Sequence, residues 1–136
     1  MKIAIVGLGG SYADYISARI ASQEFDEVWG INCIGGVIHV DKTFMMDPVS
    51  RFLDTDDAGG QTDSMADLLK NHEGPIYTCE LDDRCPGLVE YPLEEVVSYS
   101  NCHYLNNTVA YAVAFAYWNE VANLKLFGVD FSYKGN

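Results

Sequence analysis

The sequence predicts an α/β fold in which a mainly parallel sheet of about five strands is flanked by helices. Short apolar segments rich in β-branched residues alternate along the chain with segments whose apolar residues recur at helical spacing. A glycine, asparagine or aspartate directly follows most of the apolar segments, as expected where a buried strand ends in a loop. Because parallel strands need crossover connections, this alternation favours a single Rossmann-like domain spanning residues 1–136.

Five segments have the composition of strands. Each is short and apolar and is rich in residues that are common in sheets. They are Lys2–Gly7, Glu27–Ile31, Lys42–Met46, Pro75–Glu80 and Leu124–Val129. The segment LDDRCPGLVEYP after the fourth strand contains two prolines and a glycine, and it is predicted to be irregular.

Helices are predicted between these strands. Tyr12–Ser22 carries apolar residues at helical spacing. Ser64–Asn71 is a short helix after an acidic loop, and Leu93–Tyr99 fits either a helix or a strand. Asn107–Val121 is alanine-rich and apolar on nearly all sides, which is typical of a helix buried against a sheet.

Charge and composition exclude several function classes. Twenty acidic against eight basic residues give a formal net charge of −12, which argues against DNA, RNA or an anionic membrane as partner. No apolar segment approaches the roughly 20 residues that a membrane helix needs. We read no export leader and no C-x-x-C or zinc spacing, and so expect reduced thiols and no metal in a cytoplasmic protein.

The turn GLGGS after the first strand is the strongest candidate for anion binding. Gly7, Gly9 and Gly10 have no Cβ, so a ligand can approach the backbone closely. Ser11 is a candidate N-cap of the next helix, with Asp14 as its capping-box partner, and the start of that helix offers unpaired N–H groups. The sequence is neither G-x-G-x-x-G nor a P-loop. A phosphate-binding turn and a tight turn without a ligand therefore both stay open.

Polar residues after other strands would join this turn, because ligands of open parallel sheets bind at the carboxyl ends of the strands. Asn32 can donate and accept hydrogen bonds to a base or ribose, or it can simply form a turn. Asp47 and Arg51 fit an N-cap with an i,i+4 ion pair, and Arg51 also fits a bidentate phosphate contact. Asp130 follows the last strand at the same edge.

The C-terminal stretch YLNNTVAYAVAFAYWNEVANLKLFGVDFSY resembles bacterial sialyltransferases of the Rossmann-like kind and the related pterin-diphosphokinase-like proteins. In those proteins a polar turn with Thr or Ser opens an alanine-rich helix, and the next strand ends in Gly-Ile/Val-Asp-Phe. The turn GLGGS and the strand VWGIN are similar to the family's glycine loop and asparagine-terminated strand. Small phage-encoded proteins of unknown role are also similar, with VWGIN, MMDP and GVDFSY in this order.

The resemblance implies a nucleotide site at the matching positions. These are Gly9, Gly10, Ser11, Asn32, Asn107 and Thr108, with Gly128 and Asp130 at the end of the last strand. In the sialyltransferases the catalytic histidine and the acceptor lid follow the Gly-Val-Asp-Phe strand, whereas only six residues follow Asp130 here. We therefore expect non-catalytic binding of a nucleotide-type small molecule, such as sequestration of a host signalling nucleotide by a phage protein, without a further cofactor and in a homodimer.

Two alternatives stay open. The first is a minimal glycosyltransferase-like or nucleotide-hydrolysing enzyme that uses Asp47 or Asp130 as a base or metal ligand. The second is an interaction protein whose glycine turn is empty and whose aromatic residues contact a partner chain. Trp29, Tyr117 and Trp118 are the candidates for that contact, although aromatic residues of this kind are more often buried in a core.

Overall fold

A six-stranded parallel sheet forms the centre of the protein. The computed structural model describes residues 1–7, 9, 14–16, 25–55, 62–72, 74–101, 105 and 107–129. The strands are β1 (Lys2–Val6), β2 (Glu27–Ile31), β3 (Lys42–Phe44), β4 (Ile76–Thr78), β5 (Leu88–Glu90) and β6 (Asn123–Phe127). They lie in the order β5-β4-β3-β2-β1-β6, and every neighbouring pair is parallel. The predicted α/β fold is confirmed, with six strands in place of about five.

The additional strand, β5, lies in the segment predicted to be irregular. Pro86 and Gly87 precede it and indicate a turn, and a three-residue strand is too short to show an alternating pattern. Its extended conformation depends on pairing with β4, where Ile76, Tyr77 and Thr78 register with the three residues of β5. This strand is therefore determined by a tertiary contact.

Four α-helices surround the sheet in the described part of the chain. They are α1 (Ser50–Leu53), α2 (Thr62–Asn71), α3 (Leu93–Ser100) and α4 (Thr108–Trp118), and a 3-10 helix spans Asn32–Gly36. The helix predictions for α2 and α4 are confirmed, and α3 settles the open choice at residues 93–99 as a helix. The 3-10 helix and α1 are unpredicted. Of the predicted helix Tyr12–Ser22, residues 14–16 are helical and the rest lies outside the described residues.

Helices α3 and α4 cover one face of the sheet through an aromatic core. Trp29, Phe44 and Tyr77 project from three neighbouring strands, and Phe115 of α4 contacts all three rings, with its ring centroid 4.8 Å from that of Tyr77. Tyr91 follows β5, and its Oη donates a hydrogen bond of 2.6 Å to the carbonyl oxygen of Tyr111. The alanines of α4 let this helix approach the rings closely, which explains its alanine-rich composition.

The opposite face of the sheet is covered by the 3-10 helix, α1 and α2. Alternate residues of the same strands point there, such as Ala4 and Val6 of β1. Met45 and Ile76 pack against Met65 and Leu69 of α2 on this face. Because both faces are covered, β1 and β2 are apolar along most of their length rather than alternating. We call this second face, which faces α2, the α2 face.

Candidate functional site

The strand order reverses at β1. From β1 the chain proceeds through β2, β3, β4 and β5 toward one side of the sheet, whereas β6 lies on the other side of β1. In open parallel sheets, ligands bind beyond the carboxyl ends of the strands at such a reversal. The residues that follow β1, β2, β3 and β6 therefore share one edge, the carboxyl edge, as the sequence predicts.

The glycine turn packs tightly against the end of β6. The Gly7 N–H donates a hydrogen bond of 2.8 Å to the Phe127 carbonyl oxygen, and the Gly9 N–H donates one of 2.6 Å to that of Gly128. A Cβ on Gly7 would lie 2.6 Å from the Gly128 oxygen, and Gly128 itself has a φ of 66°. Close backbone packing thus accounts for Gly7 and Gly128 without a ligand. Gly10, Ser11 and Asp130 lie outside the described residues.

Asn32 occupies the carboxyl end of β2 in a left-handed conformation, with a φ of 53°. Its side-chain Oδ1 is buried and finds no hydrogen-bond partner among the described residues. A buried acceptor without a partner costs about 1–3 kcal/mol, and native proteins tolerate few of them. Asn32 is therefore the predicted site residue whose geometry most clearly leaves a hydrogen bond to be made.

Two buried threonines were missed by the sequence reasoning. Thr43 of β3 and Thr78 of β4 have no exposed surface, and neither Oγ1 has a hydrogen-bond partner in the described part of the chain. Threonine is common in strands, so the sequence carries no signal that separates these two hydroxyls from ordinary strand residues. Only the packing around them shows that they are buried and unpaired.

Asp47 and Arg51 form the predicted ion pair. The Arg51 Nη1 lies 3.3 Å from the Asp47 Oδ2, and both side chains are nearly half-exposed. Val49, rather than Asp47, is the N-cap of α1, so that part of the interpretation is wrong. The chain turns through Pro48 before α1 begins, which moves Asp47 two residues ahead of the cap. The Arg51 guanidinium is thus paired with a carboxylate through Nη1, and its contact with a phosphate stays a prediction.

Asn107 caps α4. Its Oδ1 accepts a hydrogen bond of 2.8 Å from the Ala110 N–H, and Thr108 is the first helical residue. Because α4 leads into the start of β6, the N-terminus of this helix lies at the carboxyl edge. The structure therefore brings Asn107 and Thr108 to the predicted edge, where the Asn107 oxygen serves the helix.

Two free thiols are buried on the α2 face. They are Cys33 and Cys85, and burial raises the pKa of each. Cys79 follows β4, is exposed, and donates a hydrogen bond of 3.1 Å from its Sγ to the Met46 carbonyl oxygen. Cys102 lies outside the described residues.

A groove with a volume of about 570 Å³ lies beside the carboxyl end of β5. Its lining residues are Glu90, Tyr91, Pro92, Leu93, Glu94 and Glu95. Three glutamates make this groove unsuitable for a phosphate. It contains none of the site residues predicted from the sequence.

Among the described side chains of the carboxyl edge, Asn32 offers an unpartnered acceptor oxygen and Asp47 a carboxylate paired with Arg51. Within the described residues, no three His, Cys, Asp or Glu side chains come together in a way that could hold a metal ion. None of the helices in that same part is both long enough and apolar enough to cross a membrane. No protein-family model, curated protein or solved structure matches the chain.

Proposed function

We propose that the protein binds a nucleotide or a nucleotide-derived small molecule at the carboxyl edge of the sheet without converting it. The observation that carries this proposal is the buried, unpartnered Oδ1 of Asn32 at the end of β2. An N–H of a base or an O–H of a ribose would supply the missing donor. The position of Asn32, one strand from the reversal at β1, agrees with the usual location of ligands in such sheets.

The described chemistry of the edge supports binding rather than turnover. A catalytic thiol needs a lowered pKa, whereas burial raises the pKa of Cys33 and of Cys85. The carboxylate of Asp47, the candidate base of the enzyme alternative, is engaged by Arg51. Capture without conversion acts by mass action, because it lowers the concentration of free ligand. The phage context and the homodimer stay predictions.

The test uses Asn32→Gly, because glycine adopts a φ of 53° without strain and removes only the side chain. We expect calorimetry with a panel of nucleoside mono-, di- and cyclic phosphates to detect binding to the natural sequence. The variant should bind about tenfold more weakly, as expected for one lost hydrogen bond. Chromatography of the recovered ligand should show it unchanged.

Asn101→Gly is the matched control. Asn101 also has a φ of 53°, but it ends α3, which starts beside β5 and runs back toward the opposite edge of the sheet. This variant should bind like the natural sequence. The proposal would be contradicted if no ligand of the panel gave a heat of binding or changed the melting temperature. A converted product would favour the enzyme alternative.

A further inference from the structure

We infer that Thr78 is a second recognition residue, so that the base or ribose of the ligand lies over β2, β3 and β4 and the phosphate end points toward β1. This inference rests on the proposed function and deepens it. It assigns a contact to a residue that the sequence did not mark. It also orients the ligand along the carboxyl edge.

The sheet register places Thr78 in line with Asn32. Ile31 pairs with Phe44, and Phe44 pairs with Tyr77. Met45 and Thr78 come next on β3 and β4, where the Met45 N–H donates a hydrogen bond to the Tyr77 carbonyl oxygen, and Asn32 comes next after Ile31, where the chain leaves β2 for the 3-10 helix. Neighbouring strands are about 4.8 Å apart, so the distance from β2 to β4 is about 10 Å. A ligand bound over this edge would lie beside the ends of β2 and β4, whereas Met45 between them is already covered by α2.

The Thr78 hydroxyl is the kind of group that a ligand would satisfy. Thr78 is wholly buried, and its Oγ1 has no partner among the described residues, although the next residue, Cys79, is exposed. The hydroxyl therefore belongs to a residue one position from an exposed one, and Thr78 is two residues after Ile76, which packs on the α2 face. Leaving it unpaired costs free energy that valine at this position would avoid, and a hydrogen bond to a ligand at the edge would recover it.

The charges of this part of the edge select which end of the ligand lies there. Glu90 pairs in register with Thr78 and is exposed, and Asn32 offers an acceptor oxygen. Arg51 is paired with Asp47 at 3.3 Å. Acceptors and carboxylates suit the hydroxyls of a ribose or the amine of a base, and they repel a phosphate. The phosphate is therefore placed toward the glycine turn, about 14 Å away across three strand spacings.

Thr78→Val tests the inference, because valine keeps the shape of threonine and removes the hydroxyl. The probes are adenosine, guanosine, cytidine and uridine together with their 5′-monophosphates, measured by calorimetry. For any probe that binds, we expect Thr78→Val to weaken the binding of the nucleoside and of its monophosphate by the same factor of about ten. The melting temperature of the free variant should be equal or higher, since an unpaired buried hydroxyl is removed.

Thr43→Val is the matched control. Thr43 is equally buried and unpaired, but it pairs with Gly30 and Ile76, one inward-facing position further from the edge. A methyl group in place of its hydroxyl should raise or preserve the melting temperature and leave every affinity unchanged. Thr78→Ser, which keeps the oxygen, should retain the affinity and covers the case in which Thr78→Val does not fold.

The outcomes separate the inference from the proposed function. Unchanged affinities for Thr78→Val, beside weakened binding by Asn32→Gly, overturn the inference and leave the proposed function standing. An equal loss of affinity in Thr43→Val and Thr78→Val also overturns it, as does a loss of affinity confined to the monophosphates. If the natural sequence binds none of the eight probes or the other nucleotides of the panel, the proposed function fails and the inference fails with it.

Discussion

At the scale of single residues, the described part of the fold leaves several buried polar atoms unpaired, and only their position separates those at the carboxyl edge from Thr43, which lies further inside the sheet. Asn32, Thr43 and Thr78 each bury a side-chain oxygen without a partner in the described part of the chain. Asn107 shows the contrasting case, because its oxygen is used by the helix that it caps. Asparagine therefore has different roles at the end of β2 and at the start of α4, and only the hydrogen-bond partners distinguish the two residues.

Gly7→Ala tests whether the glycine turn is required for packing. The new Cβ would lie 2.6 Å from the Gly128 carbonyl oxygen, closer than atoms can approach, so one backbone must shift. We expect the free energy of unfolding to fall by about 1–3 kcal/mol, measured by urea denaturation. Gly36→Ala is the control, because a Cβ added there would meet no atom within 4 Å beyond its chain neighbours. It should change stability by less than about 0.5 kcal/mol.

At the scale of elements, two clusters of charged side chains connect neighbouring segments through hydrogen bonds and ion pairs. At the start of β2 and β3, Glu27 accepts hydrogen bonds from the Lys42 Nζ at 2.6 Å and the Trp29 Nε1 at 2.8 Å. Burial opposes ionisation of Glu27, but these two hydrogen bonds outweigh it and lower its pKa. On the other side of the sheet, Arg84 joins Asp54, at the end of α1, to Asp82 in the β4–β5 loop.

The Arg84 cluster predicts acid sensitivity. The Arg84 guanidinium and backbone N–H hold the pKa of Asp82 at about 2, below its ordinary 3.8, and Arg84 also lowers the pKa of Asp54. A lowered pKa in the folded state means that the unfolded chain binds more protons in acid. The contribution of the Arg84 contacts to the free energy of unfolding is therefore complete above about pH 4 and is lost as the pH falls toward 2.

Arg84→Met should remove this part of the acid dependence. Urea unfolding between pH 2 and pH 7 should show a smaller loss of stability in acid for the variant than for the natural sequence. Lys70→Met removes the same charge from an exposed position on α2 and should keep the natural slope. Identical slopes for the natural sequence and Arg84→Met would contradict the assignment.

At the scale of the whole molecule, the acidic charge and the two-faced core act in opposite directions. The two apolar faces of the sheet supply the packing that stabilises the fold. The net charge of −12 opposes compaction through self-repulsion. It also means that any anionic ligand must approach against an unfavourable field, which agrees with the proposed contact of Asn32 with a neutral, donor-bearing part of the ligand.

Salt should therefore stabilise the protein near neutral pH. Raising NaCl from about 10 mM to about 500 mM shortens the screening length from about 30 Å to less than 10 Å and weakens the repulsion. We expect the melting temperature at pH 7 to rise by several degrees. Near the sequence pI of about 4.3 the same change should have little effect, and a fall at pH 7 would show that attractive ion pairs dominate instead.

The sequence by itself determined the fold class, the bounds of β2 and the location of α4. These elements are buried in the core, so their burial is visible in the sequence as apolar strand segments and an apolar, alanine-rich helix. The sequence also predicted the carboxyl edge, since Gly7 and Asn32 directly follow strands and Asn107 directly precedes a helix. Only the tertiary structure decided which of these polar atoms are already used. The Gly9 N–H, Arg51 and the Asn107 oxygen have partners, while the side-chain oxygens of Asn32 and Thr78 have none among the described residues. Strand pairing and hydrogen-bond satisfaction depend on neighbours from distant parts of the chain, and β5 and the unpaired hydroxyl of Thr78 escaped prediction for this reason.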